Sequence, residues 1–269
     1  MQFADIAADV PFLAVPPIHE RPESPVVIAW HLLSPPRSEA AFAAALPLAG
    51  LDAWRIYLGL PLCGSRSPGP DEIIRLATAD AVRNLFGPIA DQAVAEFPAA
   101  YQTLRDRFRI DGQLALVGGS LGAAVAQAVT IGRDDVAAAV LVSPVTQLRP
   151  IVEANARQFG ATYAWSVEAD RIADRLDFVA RADAIARSGP AVRIVVGADD
   201  DVDSVLKPAS ALHDGLAQRY ADPSRVDLVS VPGMGHALAD EPGVDPAPPL
   251  AAALEVDRLA VMWLRSHLS

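Results

Sequence analysis

The segment Leu114-Ala115-Leu116-Val117-Gly118-Gly119-Ser120-Leu121-Gly122-Ala123-Ala124-Val125-Ala126 decides the reading of this chain. Four apolar residues of strand character run into a glycine-rich turn centred on a serine, and an alanine-rich helical pattern follows at once. This is G-x-S-x-G between a predicted strand and a predicted helix. A serine at so sharp a turn needs strained backbone angles. Flanking glycines let neighbouring backbone pass without a Cβ collision. The turn lifts the hydroxyl above the sheet edge, and the following helix aims its N-terminal amides at whatever the hydroxyl attacks.

Working outward, other short apolar runs have the same character: Val26–Leu33, Arg55–Leu60, Ala138–Val142, Val192–Gly197 and Val226–Val231. Runs apolar on both faces suit a parallel sheet covered on each side. Between them lie helical patterns at Glu39–Leu46, Val94–Phe108, Ser120–Ile131, Val167–Ala186, Pro208–Tyr220 and Pro249–His267. Alternating strand and helix implies right-handed crossovers and an α/β sheet, mostly parallel, with helices on both faces. The proline-rich patches Pro11–Pro25 and Pro242–Pro249 read as surface connections. One domain over residues 1–269 is expected, with a small helical, cap-like excursion at about 145–190.

Composition narrows the function. The chain has 269 residues, 52% hydrophobic and 20% charged, enough apolar side chain to exclude intrinsic disorder. Lys+Arg 22 against Asp+Glu 33 gives a net charge of −11, a surface that repels phosphate backbones, so no nucleic-acid partner is expected. Gly112–Gly132 is uncharged and long enough to raise a membrane question. The glycines at its centre, with Gln127 and Thr130, favour a strand, turn and buried helix, so no membrane partner is expected either. A single cysteine, Cys63, forms no internal disulfide, and Met1–Val10 lacks the basic start of a secretory signal. Both fit a cytoplasmic protein.

A serine hydroxyl needs a general base and a group that orients the base. Both types occur just beyond strands, where open α/β sheets place their sites. After Val192–Val196 comes Gly197-Ala198-Asp199-Asp200-Asp201-Val202-Asp203, with four candidate acids. After Val226–Val231 comes Pro232-Gly233-Met234-Gly235-His236-Ala237, with one histidine. The acidic cluster lacks the EF-hand spacing and its distant glutamate, so no metal site is expected. The glycines at 118, 119 and 122 match neither phosphate-binding pattern, and no cofactor is expected.

With these motifs in order, the chain resembles the α/β-hydrolase family over almost its whole length. It is closer to the compact esterase and dienelactone-hydrolase-like members than to prolyl oligopeptidases, having no large N-terminal domain. The resemblance implies Ser120 as nucleophile, Asp200 as the acid (three residues after Gly197) and His236 as base. It implies an oxyanion hole made by the amide of Leu121 and by that of Leu33 or Leu32, after His31; Leu32 stands where the family usually has glycine. Ile28-Ala29-Trp30-His31 and the loop Leu60–Arg66 fit the same pattern. His31, Leu32 and Met234, with the aromatics Phe159, Tyr163 and Trp165 of the excursion, are candidate pocket residues. His31 is expected to brace its loop by hydrogen bonds, and the aromatics serve equally to pack the excursion on the body. The implied reaction is hydrolysis of a small carboxylic ester through an acyl-enzyme. Thioesterase, lactonase, peptidase or acyltransferase chemistry uses the same residues, and a non-catalytic ligand-binding protein of this fold is the alternative of another class.

Overall fold

The computed structural model describes residues 2–268. An eight-stranded sheet forms its centre: β1 (Phe3–Ala7), β2 (Val10–Val15), β3 (Val26–Trp30), β4 (Trp54–Leu58), β5 (Leu114–Gly119), β6 (Val136–Val142), β7 (Ala191–Gly197) and β8 (Val226–Val231). The spatial order is β1-β2-β4-β3-β5-β6-β7-β8. Strands β3 to β8 run parallel, while β2 is antiparallel to both β1 and β4.

Why the central strands are apolar on both faces is visible in their alternation. Val26, Ile28 and Trp30 of β3 enter one core, and Val27 and Ala29 enter the other. Leu114 and Leu116 of β5 go with the first set, Ala115 and Val117 with the second. Side chains two apart share a face, so a strand sandwiched by two helical layers is apolar at nearly every position. One layer comprises α1 (Glu39–Ala45) and α9 (Ala251–His267), whose Phe42, Ala260 and Leu264 are fully buried. The other contains α3 (Gly87–Phe108) and α4 (Leu121–Ile131), joined by α7 (Ala182–Ser188) and α8 (Lys207–Ala217). A further helix, α2 (Pro70–Ala81), lies outside the core and buries none of its residues fully.

The N-terminal strands depart from the sequence reading. Pro11–Val15, expected within a surface connection, is most of β2. Ala8 and Asp9 both take left-handed angles (φ 46° and 66°), which closes a two-residue hairpin with the strand twist. Pro11 sits where β2 pairs with β1 alone; pairing with β4 begins at Phe12, so its missing N–H breaks no ladder on that side.

The expected helix over Val167–Ala186 is two helices, α6 (Val167–Arg175) and α7, and a helix not foreseen, α5 (Leu148–Gln158), precedes them. The chain leaves and re-enters the body at one place. Gln147 bridges Asp177, its side-chain amide donating to Asp177 Oδ2 at 2.8 Å, and the Phe178 N–H donates to the Thr146 carbonyl at 2.8 Å. The part standing off the sheet is therefore about 148–176, and α7 packs on α4 and α8 as a layer helix.

Candidate active site

Ser120 occupies the turn between β5 and α4 with φ 48° and ψ −116°, a strained conformation for a residue with a side chain. Its N–H donates to the Val142 carbonyl at 2.9 Å, and its carbonyl accepts from Ala123 and Val145, so the turn is fastened to β6 and α4 together. The surrounding glycines are required by contact. A Cβ at Gly118 would lie 2.4 Å from the Gly122 carbonyl oxygen and 2.5 Å from Ala123 Cα.

Beyond β7, the Ala198 N–H donates to the Val231 carbonyl and the Asp199 N–H to that of Met234, which stitches the acid loop to the histidine loop after β8. Gly197 allows this, since a Cβ there would lie 2.2 Å from the Met234 oxygen. The result brings three of the predicted residues into line. His236 Nε2 is 2.9 Å from Ser120 Oγ, and its Nδ1 is 3.0 Å from Asp200 Oδ2 and 3.2 Å from Oδ1. A carboxylate only accepts, so Nδ1 carries the proton and Nε2 is left to accept from the serine hydroxyl. The Asp200 side chain is 2% exposed and also accepts from the Asp201 N–H at 2.9 Å. Its competitors have other partners or none: Asp201 caps the helical turn Val202–Leu206, where the Ser204 hydroxyl and amide hold its carboxyl below the usual range, and Asp203 pairs with Lys207 at 2.6 Å.

His31, a candidate pocket residue, is fully buried and does not line the cavity described below. The Leu60 N–H donates to its Nε2 at 3.2 Å, so Nδ1 bears the proton and donates to the Leu32 carbonyl at 2.6 Å. That carbonyl shares a trans peptide with the Leu33 N–H. Fixing the oxygen on one side aims the N–H to the other. Burial pushes the His31 imidazole down to about 4, from an ordinary value of 6.5. The unfolded chain therefore binds a proton below pH 6.5 that the folded chain refuses, and stability falls as pH drops from about 6.5 to about 4. By pH 5 this one residue should cost about 2 kcal/mol, read as a lower urea midpoint than at pH 7.5. A His31→Gln variant should lose that share of the pH slope.

A cavity of about 450 Å³ opens over Ser120 and His236. Leu33, Ser34 and Phe86 line it, with Val145, whose N–H donates to the Ser120 carbonyl at 3.1 Å. Ile151, Ala154, Asn155 and Gln158 of α5 line it too, as do Asp199, Asp201, Ser204 and Val205 from the acid loop and the helical turn after it, a turn that packs on α5. The other expected pocket residues lie elsewhere. Leu32 is buried in the core, where its Cδ1 occupies the space a Cβ at Gly119 would take, and Met234 is 1% exposed beneath the acid loop. Phe159 is 87% exposed, because α5 ends and Gly160 (φ 67°) turns the chain outward. Tyr163 donates its hydroxyl to Asp80, and Trp165 lies between Tyr163 and Arg149, whose guanidinium is 4.1 Å from the ring centroid. These rings pin α6 against the α2 side of the body. The α5 residues that do line the cavity carried a readable signal: 151, 154, 155 and 158 recur at helical spacing, on a helix hidden by Pro150 in its first turn.

No helix among the described residues is long and apolar enough to cross a membrane. Nor do the described residues hold a group of three or more His, Cys, Asp or Glu side chains placed to bind a metal ion.

No protein-family profile and no curated protein matches this sequence. Solved structures do match it along its length. TT1662 from Thermus thermophilus superposes with a TM-score of 0.72 at 17% identity, covering 99% of this chain and 97% of its own. A dienelactone hydrolase from Anabaena variabilis gives 0.57 at 17% identity, covering 100% and 99%. Carboxyl esterase 2 from Tuber melanosporum gives 0.60 at 15% identity, covering 100% and 86%. With a mostly parallel eight-stranded sheet, helices on both faces and these neighbours, the chain has the α/β-hydrolase fold.

Proposed function

We propose that the chain is a serine hydrolase that cleaves a carboxylic ester through an acyl-enzyme. The observation that carries the reading is the continuous relay from Ser120 Oγ through the His236 ring to Asp200, inside a cavity open to a small molecule. Ser120 Oγ attacks the ester carbonyl as its proton passes to His236 Nε2, and Asp200 stabilises the imidazolium. The tetrahedral oxyanion is held by the amides of Leu121 and Leu33. Leu33 is favoured over Leu32 because it lines the cavity and its peptide is oriented by His31. Loss of one such donor costs about 100- to 1000-fold in rate. The imidazolium then protonates the departing alkoxide. Water, deprotonated by His236, attacks the acyl carbon, and the serine leaves with the proton returned, releasing the acid.

A fluorophosphonate should form a covalent adduct on Ser120, seen as one mass increment mapped to its peptide and missing in Ser120→Ala. Absence of labelling in folded protein, together with no turnover of short-chain p-nitrophenyl esters, would sink the reading and leave a ligand-binding role for the cavity.

A further inference from the structure

The charges around the cavity are one-sided. No lysine or arginine lines it among the described residues, whereas Asp199 and Asp201 do, beside the acid of the relay. Lys207, the chain's one lysine, is held by Asp203. Arg157 on α5 acts on Asp201 through its field without touching it. The Asp199 carboxylate has no hydrogen-bond or ion-pair partner among the described residues, and the residue is exposed at the cavity wall. An unneutralised carboxylate there sets a negative potential that the net charge of −11 reinforces.

The topology says which half of a substrate feels it. Ser120 follows β5; Leu33 and Ser34 follow β3 on one side, and Asp199 follows β7, two strands away on the other. The oxyanion faces the β3 side. The leaving oxygen must approach His236 Nε2, on the side of the acid loop. Phe86 in the same cavity offers an aromatic ring, a surface that substituted ammonium groups favour.

We infer that Asp199 makes the site selective for esters whose alcohol carries a positive charge and that it excludes esters whose alcohol carries a carboxylate. The inference rests on the esterase reading above and names its substrate class.

The test compares three acetate esters: acetylcholine, its neutral isostere 3,3-dimethylbutyl acetate, and the acetate of 4-hydroxybutanoate. Each kcat/KM is divided by the ester's own hydroxide-catalysed rate. At low salt the cationic ester should exceed the neutral one by about tenfold and the anionic ester should fall below it by a similar factor, for a charge within several ångströms at the protein surface. Added salt should compress both ratios. Asp199→Asn should bring the cation-to-neutral ratio down to about two- or threefold, and Asp199→Lys should invert it. Equal normalised rates for the three esters, or ratios untouched in both variants, would overturn the inference while turnover of the neutral ester and fluorophosphonate labelling left the esterase reading standing. If the neutral ester is not hydrolysed and Ser120 is not labelled, both fail.

Discussion

Asp200→Asn should lower kcat on a neutral ester by about 10⁴-fold while the protein stays folded, and Asp199→Asn should cost far less on the same ester. The asymmetry comes from what each side chain touches. Asp200 accepts from His236 Nδ1 at 3.0 Å and is nearly buried, so it selects the tautomer in which Nε2 is bare. An asparagine of the same shape can turn its NH₂ toward the ring. Nδ1 then accepts, the proton moves to Nε2, and the position facing Ser120 Oγ becomes a donor that cannot take the serine proton. The imidazolium formed in the transition state also loses its counter-charge. Among the described residues Asp199 makes no hydrogen bond or ion pair with the ring, and its backbone N–H bond to the Met234 carbonyl survives any side-chain change. Steady-state kinetics of both variants, with urea midpoints to show that each is folded, check the ranking. The reverse order would move the acid assignment to Asp199.

The same two residues show what a sequence discloses and what it withholds. Ser120 and His236 were legible because each sits in a glycine-rich turn after an apolar strand, and glycine patterns record places where backbone passes backbone. The choice of Asp200 among four acids came only with the family resemblance. In space it follows from the loop being stitched to Met234, which turns one carboxylate inward and leaves its neighbours at the surface. The parallel strands were readable for a related reason: burial on two faces removes most polar residues, and the exception in β4, Arg55, donates to the Pro16 and Pro47 carbonyls. The hairpin β1–β2 was hidden because its edge position permits Asp5 and Pro11, which break the pattern. Pocket residues were the least legible. An aromatic-rich segment suggested Phe159, Tyr163 and Trp165, yet what this excursion gives the cavity is a polar-aliphatic face of α5, and Tyr163 and Trp165 bond Asp80 and Arg149 instead. Which face of a short helix meets a cavity depends on how its ends are tied, here by the Gln147–Asp177 bridge, and composition does not encode that.

Gly122→Ala should destabilise the protein by about 3 kcal/mol and reduce ester turnover by about 100-fold in whatever fraction remains folded. Gly122 is the second residue of α4, and a Cβ there would stand 2.4 Å from the carbonyl oxygens of both Trp30 and His31. Those are backbone atoms at the end of β3, a strand paired on both sides and buried throughout, so neither can rotate away. Relief requires α4 to shift away from β3. The two groups separated by such a shift are the Leu121 amide, on the helix, and the Leu33 amide, on the loop after His31. The proposed oxyanion hole needs both at hydrogen-bond distance from one oxygen, so a displacement near 1 Å removes one of them. Helix propensity acts the other way, since alanine is favoured over glycine inside a helix by about 1 kcal/mol, and a stabilised variant would show that the close approach had been misjudged. Gly132→Ala supplies the comparison. It lies at the far end of the same helix with φ −85°, and a Cβ there meets nothing closer than 3.6 Å. That variant should be neutral or slightly stabilised, through a less flexible unfolded chain. Urea midpoints and kcat for the pair, measured side by side, separate a general intolerance of α4 to added methyl groups from the specific contact between the elbow and the end of β3.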